Sequence, residues 1–171
     1  MKTLSLLTLI ILFCSCKQEP EKPLRYADVD TSSNEVVHLT DPDDIYYTLD
    51  DLIAQNEGKI IYVYFWHSGV PKEFMRAVEQ LENKMDPDNF VILNIGTDDI
   101  MSPFENHLNI TTLKHNYLAR NFPEADFYQE NNFIEIPKYI IYDRAGNLID
   151  NNAMHPDNEN LEETLNVLIK N

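Results

Sequence analysis

The sequence is poor in cysteine and in basic residues, and each shortage excludes a class of protein. Only two of its 171 residues are cysteines, Cys14 and Cys16, and both lie near the N-terminus. A disulfide framework therefore cannot hold the body of the protein together, and a hydrophobic core must do so. Thirteen Lys and Arg residues stand against 29 Asp and Glu residues, which gives a formal net charge of −16. This charge repels nucleic acid, so we expect no nucleic-acid partner.

The apolar run at the N-terminus is too short to span a membrane. It extends from Leu4 to Phe13 after the basic Lys2, whereas a transmembrane helix needs about 20 residues. We interpret residues 1–15 as an export signal peptide. The alternative is a buried N-terminal helix with two chance cysteines, but the segment that follows Cys16, KQEPEK, is strongly polar.

The end of this segment resembles a bacterial lipoprotein signal. In such signals a small residue directly precedes the cysteine that receives the lipid, and Ser15 precedes Cys16 here. The resemblance implies cleavage before Cys16 and a thioether between its sulfur and diacylglycerol, which would anchor the protein to a bacterial membrane. Cys14 would leave with the signal, so the mature chain would hold no free thiol. We expect a cell-envelope protein that faces the periplasm or the cell surface.

After Cys16 the composition predicts a tether and one domain. Pro20, Pro23 and alternating charges make residues 16–27 typical of a solvated tether, and residues 28–171 form the predicted domain. Apolar periodicity predicts strands at Glu35–Leu39, Lys59–Trp66, Phe90–Ile95, Pro137–Asp143 and Leu148–Asp150. It predicts helices at Ile45–Gln55, from Pro71 to about Met85, at Pro103–Leu108, near Ala119–Asn131 with an interruption at Pro123, and at Asn158–Lys170. Two buried strands joined by a helix indicate a parallel crossover, and hence an α/β fold.

This order of elements resembles the thioredoxin fold, and in particular the TlpA-like (redoxin, AhpC/TSA-type) lipoproteins of Bacteroidetes. Three segments carry the resemblance: Gly58–Trp66 (GKIIYVYFW), Ile136–Ile149 (IPKYIIYDRAGNLI) and Asn151–Leu161 (NNAMHPDNENL). The resemblance implies a three-layer sandwich with a central mixed sheet flanked by helices. It also implies that Pro137 is cis and faces the loop that carries the family's catalytic cysteines.

That loop departs from the family pattern. Redox members carry Trp-Cys-Gly-Pro-Cys at a helix N-terminus, where partial positive charge stabilises the attacking thiolate. Here the residues after Trp66 read HSGVP, and neither cysteine is present. Tyr64 stands where redox members commonly carry a buried carboxylate that moves protons. Without a thiol, a buried acid would only add a desolvation cost, so both changes predict that thiol–disulfide catalysis is lost.

The sequence predicts no other catalytic or metal site. His67 and Ser68 are adjacent and so point in different directions, and no third residue that would orient the histidine is evident. The five histidines lack a short ligand spacing, and the DPDD segment at residues 41–44 does not complete a calcium loop. We therefore expect neither a metal nor another cofactor.

Three functions remain open. The leading one is not enzymatic: the domain binds a protein or peptide partner at the cysteine-free loop and the adjoining proline. The predicted partner site comprises Trp66, His67, Ser68, Gly69, Val70, Pro71, Ile136 and Pro137. Backbone amides at residues 70–72 would offer donors to that partner. The alternatives are a thiol–disulfide oxidoreductase or redoxin role in the envelope, and a scaffold in an envelope complex.

Overall fold

The computed structural model describes residues 22–170 of the chain. The predicted signal peptide (residues 1–15) and the predicted lipidation site, Cys16, lie outside the described residues. Within residues 22–170, no helix has the length and apolar character that crossing a membrane requires.

A seven-stranded mixed sheet forms the middle layer of the fold. Its strands are β1 (His38–Thr40), β2 (Tyr46–Thr48), β3 (Ile60–Trp66), β4 (Phe90–Gly96), β5 (Asn116–Ala119), β6 (Lys138–Tyr142) and β7 (Leu148–Asp150). They lie in the order β2-β1-β5-β4-β3-β6-β7. The β3–β4 and β4–β5 pairs are parallel, and the other pairs are antiparallel. The predicted α/β class with a central mixed sheet is confirmed.

Helices cover both faces of the sheet. They are α1 (Leu49–Gln55), α2 (Lys72–Lys84), α3 (Met101–Leu108), α4 (Asp126–Glu130) and α5 (Leu161–Lys170), and a short 3-10 helix at Tyr26–Asp28 precedes the sheet. Every residue of β3 is buried, and its side chains alternate between two apolar clusters. Tyr62, Tyr64 and Trp66 pack with α2, α3 and α5, whereas Val63 and Phe65 pack with α1 and α4. The continuous apolar run predicted a strand covered on both faces, and the structure confirms it.

The predicted helix Ile45–Gln55 is wrong in its first part. Tyr46–Thr48 forms β2 at the sheet edge, and α1 begins only after Thr48. The Thr48 hydroxyl accepts a hydrogen bond from the Asp51 amide at 3.0 Å, and the Asp51 carboxylate accepts one from the Thr48 amide at 2.8 Å. This capping box fixes the start of the helix. The helical spacing of the apolar residues before it arose by coincidence.

The predicted helix near Ala119–Asn131 is also wrong over its first half. Ala119 instead ends β5, which pairs with β1 and β4, and α4 is limited to Asp126–Glu130. The Phe122–Pro123 peptide bond between them is cis. A proline lacks an amide hydrogen and restricts the residue before it, so a helix could not continue through this segment.

The packed part of the chain begins earlier than Asp28. The Tyr46 amide donates to the Leu24 carbonyl at 2.8 Å, and Arg25 forms an isolated β-bridge with Ile45. Residues 24–27, which the sequence assigned to the tether, therefore start the ordered contacts of the domain, because their backbone pairs with the segment that leads into β2.

Candidate functional site

The predicted loop, residues 67–71, connects β3 to α2 at the carboxyl end of two parallel strands. The segment that follows β4 lies beside it, since the Thr97 amide donates to the Trp66 carbonyl at 2.8 Å. The Ser68 amide and hydroxyl both donate to the Asp98 carboxylate, at 2.9 Å and 2.7 Å. Ligand sites of open α/β sheets commonly form at this edge. Asp98 thus ties the loop to the neighbouring strand, a role that sequence reasoning missed.

His67 and Ser68 do not bond to each other. The Ser68 hydroxyl donates to the Asp98 carboxylate at 2.7 Å, and His67 Nδ1 accepts the Gly69 amide at 2.9 Å. A serine–histidine pair needs a hydrogen bond between the hydroxyl and the imidazole, and here each group has another partner.

The expectation of free amides at residues 70–72 fails at Val70, whose amide donates to the His67 carbonyl at 2.9 Å. Pro71 has no amide hydrogen, so Lys72, the first residue of α2, is the remaining candidate donor in this range. The Gly69 amide also bonds within the loop, to His67, and the Ser68 amide bonds to the Asp98 carboxylate outside it. These three successive amides are therefore not available to a partner.

A cavity of about 490 Å³, the loop cavity, lies between this loop, the start of α2 and α3. Residues that line it include Tyr64, Trp66, Val70, Met75, His107 and Ile110. Most of these groups are apolar or aromatic, and no Asp or Glu lines the cavity. A cavity of this size and lining suits an apolar group of a ligand.

Trp66 and His107 form one wall of the loop cavity. Trp66 is 4% exposed, and its ring stacks on the His107 imidazole with 3.9 Å between centroids. The Asn94 side-chain amide donates to His107 Nε2 at 2.9 Å. Burial lowers the pKa of His107 to about 4, so its imidazole is neutral at neutral pH. Sequence reasoning treated His107 as one of five scattered histidines, and no local pattern marked it.

Tyr64 occupies the position that the resemblance assigns to a proton-moving carboxylate. Its ring stacks almost parallel on Tyr139, with 5.4 Å between centroids and 9° between planes. Burial raises the pKa of the Tyr64 phenol above its ordinary value. A buried neutral phenol in a stack of rings does not supply the base that thiol chemistry uses, in agreement with the cysteine-free loop.

Pro137 lies at the other side of β3. The Ile136–Pro137 peptide bond is cis, as the resemblance implies. Phe65 pairs with Lys138, so Pro137 comes directly before the strand that lies beside the end of β3. Pro137 lines a separate cavity of about 240 Å³, the Pro137 cavity, and Ile136 packs against the core cluster of α1 and α4. The predicted site thus spans two cavities, one on the loop side and one beside the proline.

Comparison with known proteins identifies the fold through structure. No family model and no curated protein sequence matches the chain. The thioredoxin domain of a thiol-disulfide oxidoreductase from Bacteroides vulgatus is 16% identical, with a TM-score of 0.65 over 82% of this chain and 99% of that one. A second protein of that organism reaches 0.66 at 21% identity, over 77% and 90% of the two chains.

A lipoprotein is also among the structural neighbours. The exposed lipoprotein thioredoxin of Streptococcus pneumoniae is 18% identical, with a TM-score of 0.57 over 78% of this chain and 99% of that one. The names of these neighbours agree with the thiol–disulfide alternative, and they do not test partner binding. At identities below 25%, the comparisons establish architecture. The chain has a thioredoxin-like α/β fold.

Proposed function

We propose that the protein is a lipid-anchored, cell-envelope member of this architecture that binds a protein or peptide partner without exchanging disulfides. The observation that carries the proposal is the loop at residues 67–71. It occupies the position between β3 and α2, contains no cysteine, and borders the loop cavity.

The chemistry of the loop supports the absence of thiol exchange. Disulfide exchange requires a thiolate that attacks a disulfide sulfur. The sequence contains no cysteine after Cys16, and we propose that the Cys16 sulfur carries the lipid. Ser68 is bonded to Asp98 and Tyr64 is stacked in the core, so the residues around the loop supply no thiolate for the reaction.

The loop cavity supports binding of an apolar group. Met75 and the Trp66 ring form buried walls, and Ile110 at the rim is 49% exposed. Insertion of a partner's apolar side chain would bury its own apolar surface and that of Ile110, at about 25 cal/mol per Å² of apolar area. The exposed His67 lies at the same rim and would contact that partner.

Thiol–disulfide interchange is the second candidate, because the names of the structural neighbours favour it. It requires a free thiol in the mature chain, which only an unmodified Cys16 or Cys14 could provide. A thiol count on the mature protein separates the two candidates. Zero thiols supports partner binding, and one thiol favours the redox candidate.

The proposal is tested by crosslinking the protein in its native envelope and measuring partner capture by paired variants. Ile110→Glu places a carboxylate at the apolar rim of the loop cavity and should abolish most capture. Ile149→Glu is the matched control, because Ile149 is 45% exposed on β7 and does not line the loop cavity. Equal capture by both variants, with melting temperatures unchanged, would contradict partner binding at this cavity. If a stable complex co-purifies equally with the wild type and with both variants, the scaffold alternative is favoured.

A further inference from the structure

The Pro137 cavity contains an unusual charged side chain. Its lining consists of Asn132, Ile134, Glu135, Pro137, Lys138 and Asn152. Lys138 is the first residue of β6, and the residue as a whole is 9% exposed. Lysine is almost never buried to this extent unless its charge is paired.

No carboxylate pairs with this lysine. Within residues 22–170, the ion pairs closer than 4.0 Å join Lys84 to Glu162 and His155 to Asp157, and neither includes Lys138. The Lys138 Nζ lies 3.5 Å from the Asn152 side-chain oxygen and 5.6 Å from the centroid of the Phe133 ring. Among the residues that the structure describes, the polar partners of this buried cation are one long hydrogen bond to a neutral amide and a distant aromatic ring.

The positive charge of Lys138 is therefore left without a compensating anion. An ammonium has three donors, and burying it without a counter-ion costs more than a long bond to an amide oxygen returns. Desolvation by the cavity walls strengthens its attraction for any negative group that enters. The open volume beside Lys138 is about 240 Å³, which is enough for one small side chain or chain terminus.

We propose that the Pro137 cavity binds a carboxylate group of a peptide, with Lys138 as its counter-ion and the Asn132 and Asn152 side-chain amides as further donors. This inference rests on the proposed function, because it assigns the chemistry of the partner segment beside Pro137. Ile134, 80% exposed at the rim, would contact the apolar part of the same segment. Glu135 also lines the cavity but lies more than 4.0 Å from the Lys138 ammonium. Its charge would repel a doubly charged phosphate group more strongly than a singly charged carboxylate, so a carboxylate fits better.

The test is a titration of the ¹⁵N-labelled full chain in detergent micelles, followed at the Lys138 and Asn152 amides. N-acetylglycylglycine presents a terminal carboxylate, N-acetylaspartate amide presents a side-chain carboxylate, and N-acetylglycylglycine amide is the neutral control. Saturable shifts with either carboxylate probe, and none with the amide, support the proposal, and the tighter probe identifies the source. No saturable shift with either carboxylate, equal shifts with the amide, or tighter binding of inorganic phosphate would overturn it.

Paired lysine variants test the assigned counter-ion. Lys138→Met should weaken carboxylate binding about tenfold, as expected for loss of a charge-assisted hydrogen bond. Lys84→Met, at an exposed lysine, is the matched control and should bind like the wild type. If Lys138→Met does not fold, the wild-type comparison of acid and amide probes still decides the proposal. If a folded Lys138→Met variant captures the partner as well as the wild type does, the carboxylate site is refuted and the proposed function stands. If the wild type binds the carboxylate probes but crosslinking in the envelope captures no partner, the proposed function is refuted and the carboxylate site stands.

Discussion

Trp66 and His107 stack face to face, with 3.9 Å between ring centroids and 21° between ring planes, at the wall of the loop cavity. Trp66 ends β3, and His107 lies in the last turn of α3. The contact therefore joins the strand that leads into the predicted site to the helix that closes the cavity. Because Trp66 is the sole tryptophan of the chain, its fluorescence reports directly on this contact.

The burial of His107 predicts a pH-dependent stability. Its pKa is lowered to about 4 in the folded protein, below the value of 6.5 that applies to an exposed histidine. The unfolded chain therefore binds more protons between these values, and the free energy of unfolding falls as pH falls through this range. We expect His107 to contribute a loss of about 2 kcal/mol between pH 7 and pH 5, because the slope of about 1.36 kcal/mol per pH unit applies only below the unfolded pKa of 6.5.

The measurement is urea unfolding followed by Trp66 fluorescence at both pH values, in the wild type and in His107→Gln. Glutamine can still accept the hydrogen bond from Asn94 but does not titrate. The wild type should lose more stability on acidification than the variant does. An equal loss in the two proteins would show that His107 does not carry the effect.

The bond between Ser68 and Asp98 predicts a second stability effect that is confined to the loop. Asp98→Ala removes the acceptor for both the Ser68 amide and its hydroxyl. We expect global unfolding to change by no more than about 1 kcal/mol, because the pair is exposed. Amide hydrogen exchange at Ser68 should accelerate, whereas exchange at Ile92 in the buried β4 should not. Equal protection of Ser68 in both proteins would contradict the account of how the loop is held.

The space around Gly96 predicts how much stability is lost when side-chain atoms are added between β4 and α3. A Cβ at this position would lie 3.2 Å from Cζ2 of Trp66 and 3.4 Å from Cδ2 of Phe104. Gly96→Val adds branched atoms to this space and should destabilise the fold by about 2 kcal/mol, with a shift in Trp66 emission. Gly96→Ala should cost less, since the neighbouring rings need to move only a few tenths of an ångström. A Gly96→Val variant as stable as the wild type would show that this packing is looser than described.

The proposed lipid anchor predicts a processing defect. Cys16→Ser removes the sulfur that would carry diacylglycerol, so the precursor should remain unlipidated and should not be processed normally. Intact-mass analysis of membrane fractions measures this directly. The same mature, unlipidated product from the wild type and from the variant would refute the anchor.

Long buried elements could be predicted from the sequence. The run Lys59–Trp66 contains β3, and Phe90–Ile95 matches β4 within one residue, because both strands are covered on two faces and read as continuous apolar segments. Leu148–Asp150 matches β7, where the preceding Gly146 adopts a positive φ of 80° in the turn. The edge strand β2 could not be predicted, since its residues are half-buried and the spacing around it also fits a helix.

The site was predictable only in part. The cysteine-free loop is visible in the sequence, and the resemblance supplied the position of Pro137. The stacking of His107 on Trp66 depends on α3 packing against the end of β3, so no local sequence pattern indicates it. Lys138 likewise reads as an ordinary polar residue at the start of a strand, and its burial arises from Phe133 and Asn152, which other parts of the chain bring to it.

Catalysed disulfide reduction tests the central claim most directly. The purified mature protein should reduce insulin disulfides no faster than a control without protein, because the sequence has no cysteine after Cys16 and hence none in the loop at residues 67–71. A domain with an intact pair of active-site cysteines serves as the positive control. Sustained insulin reduction by the mature protein above the control without protein would contradict the claim and support thiol–disulfide interchange instead.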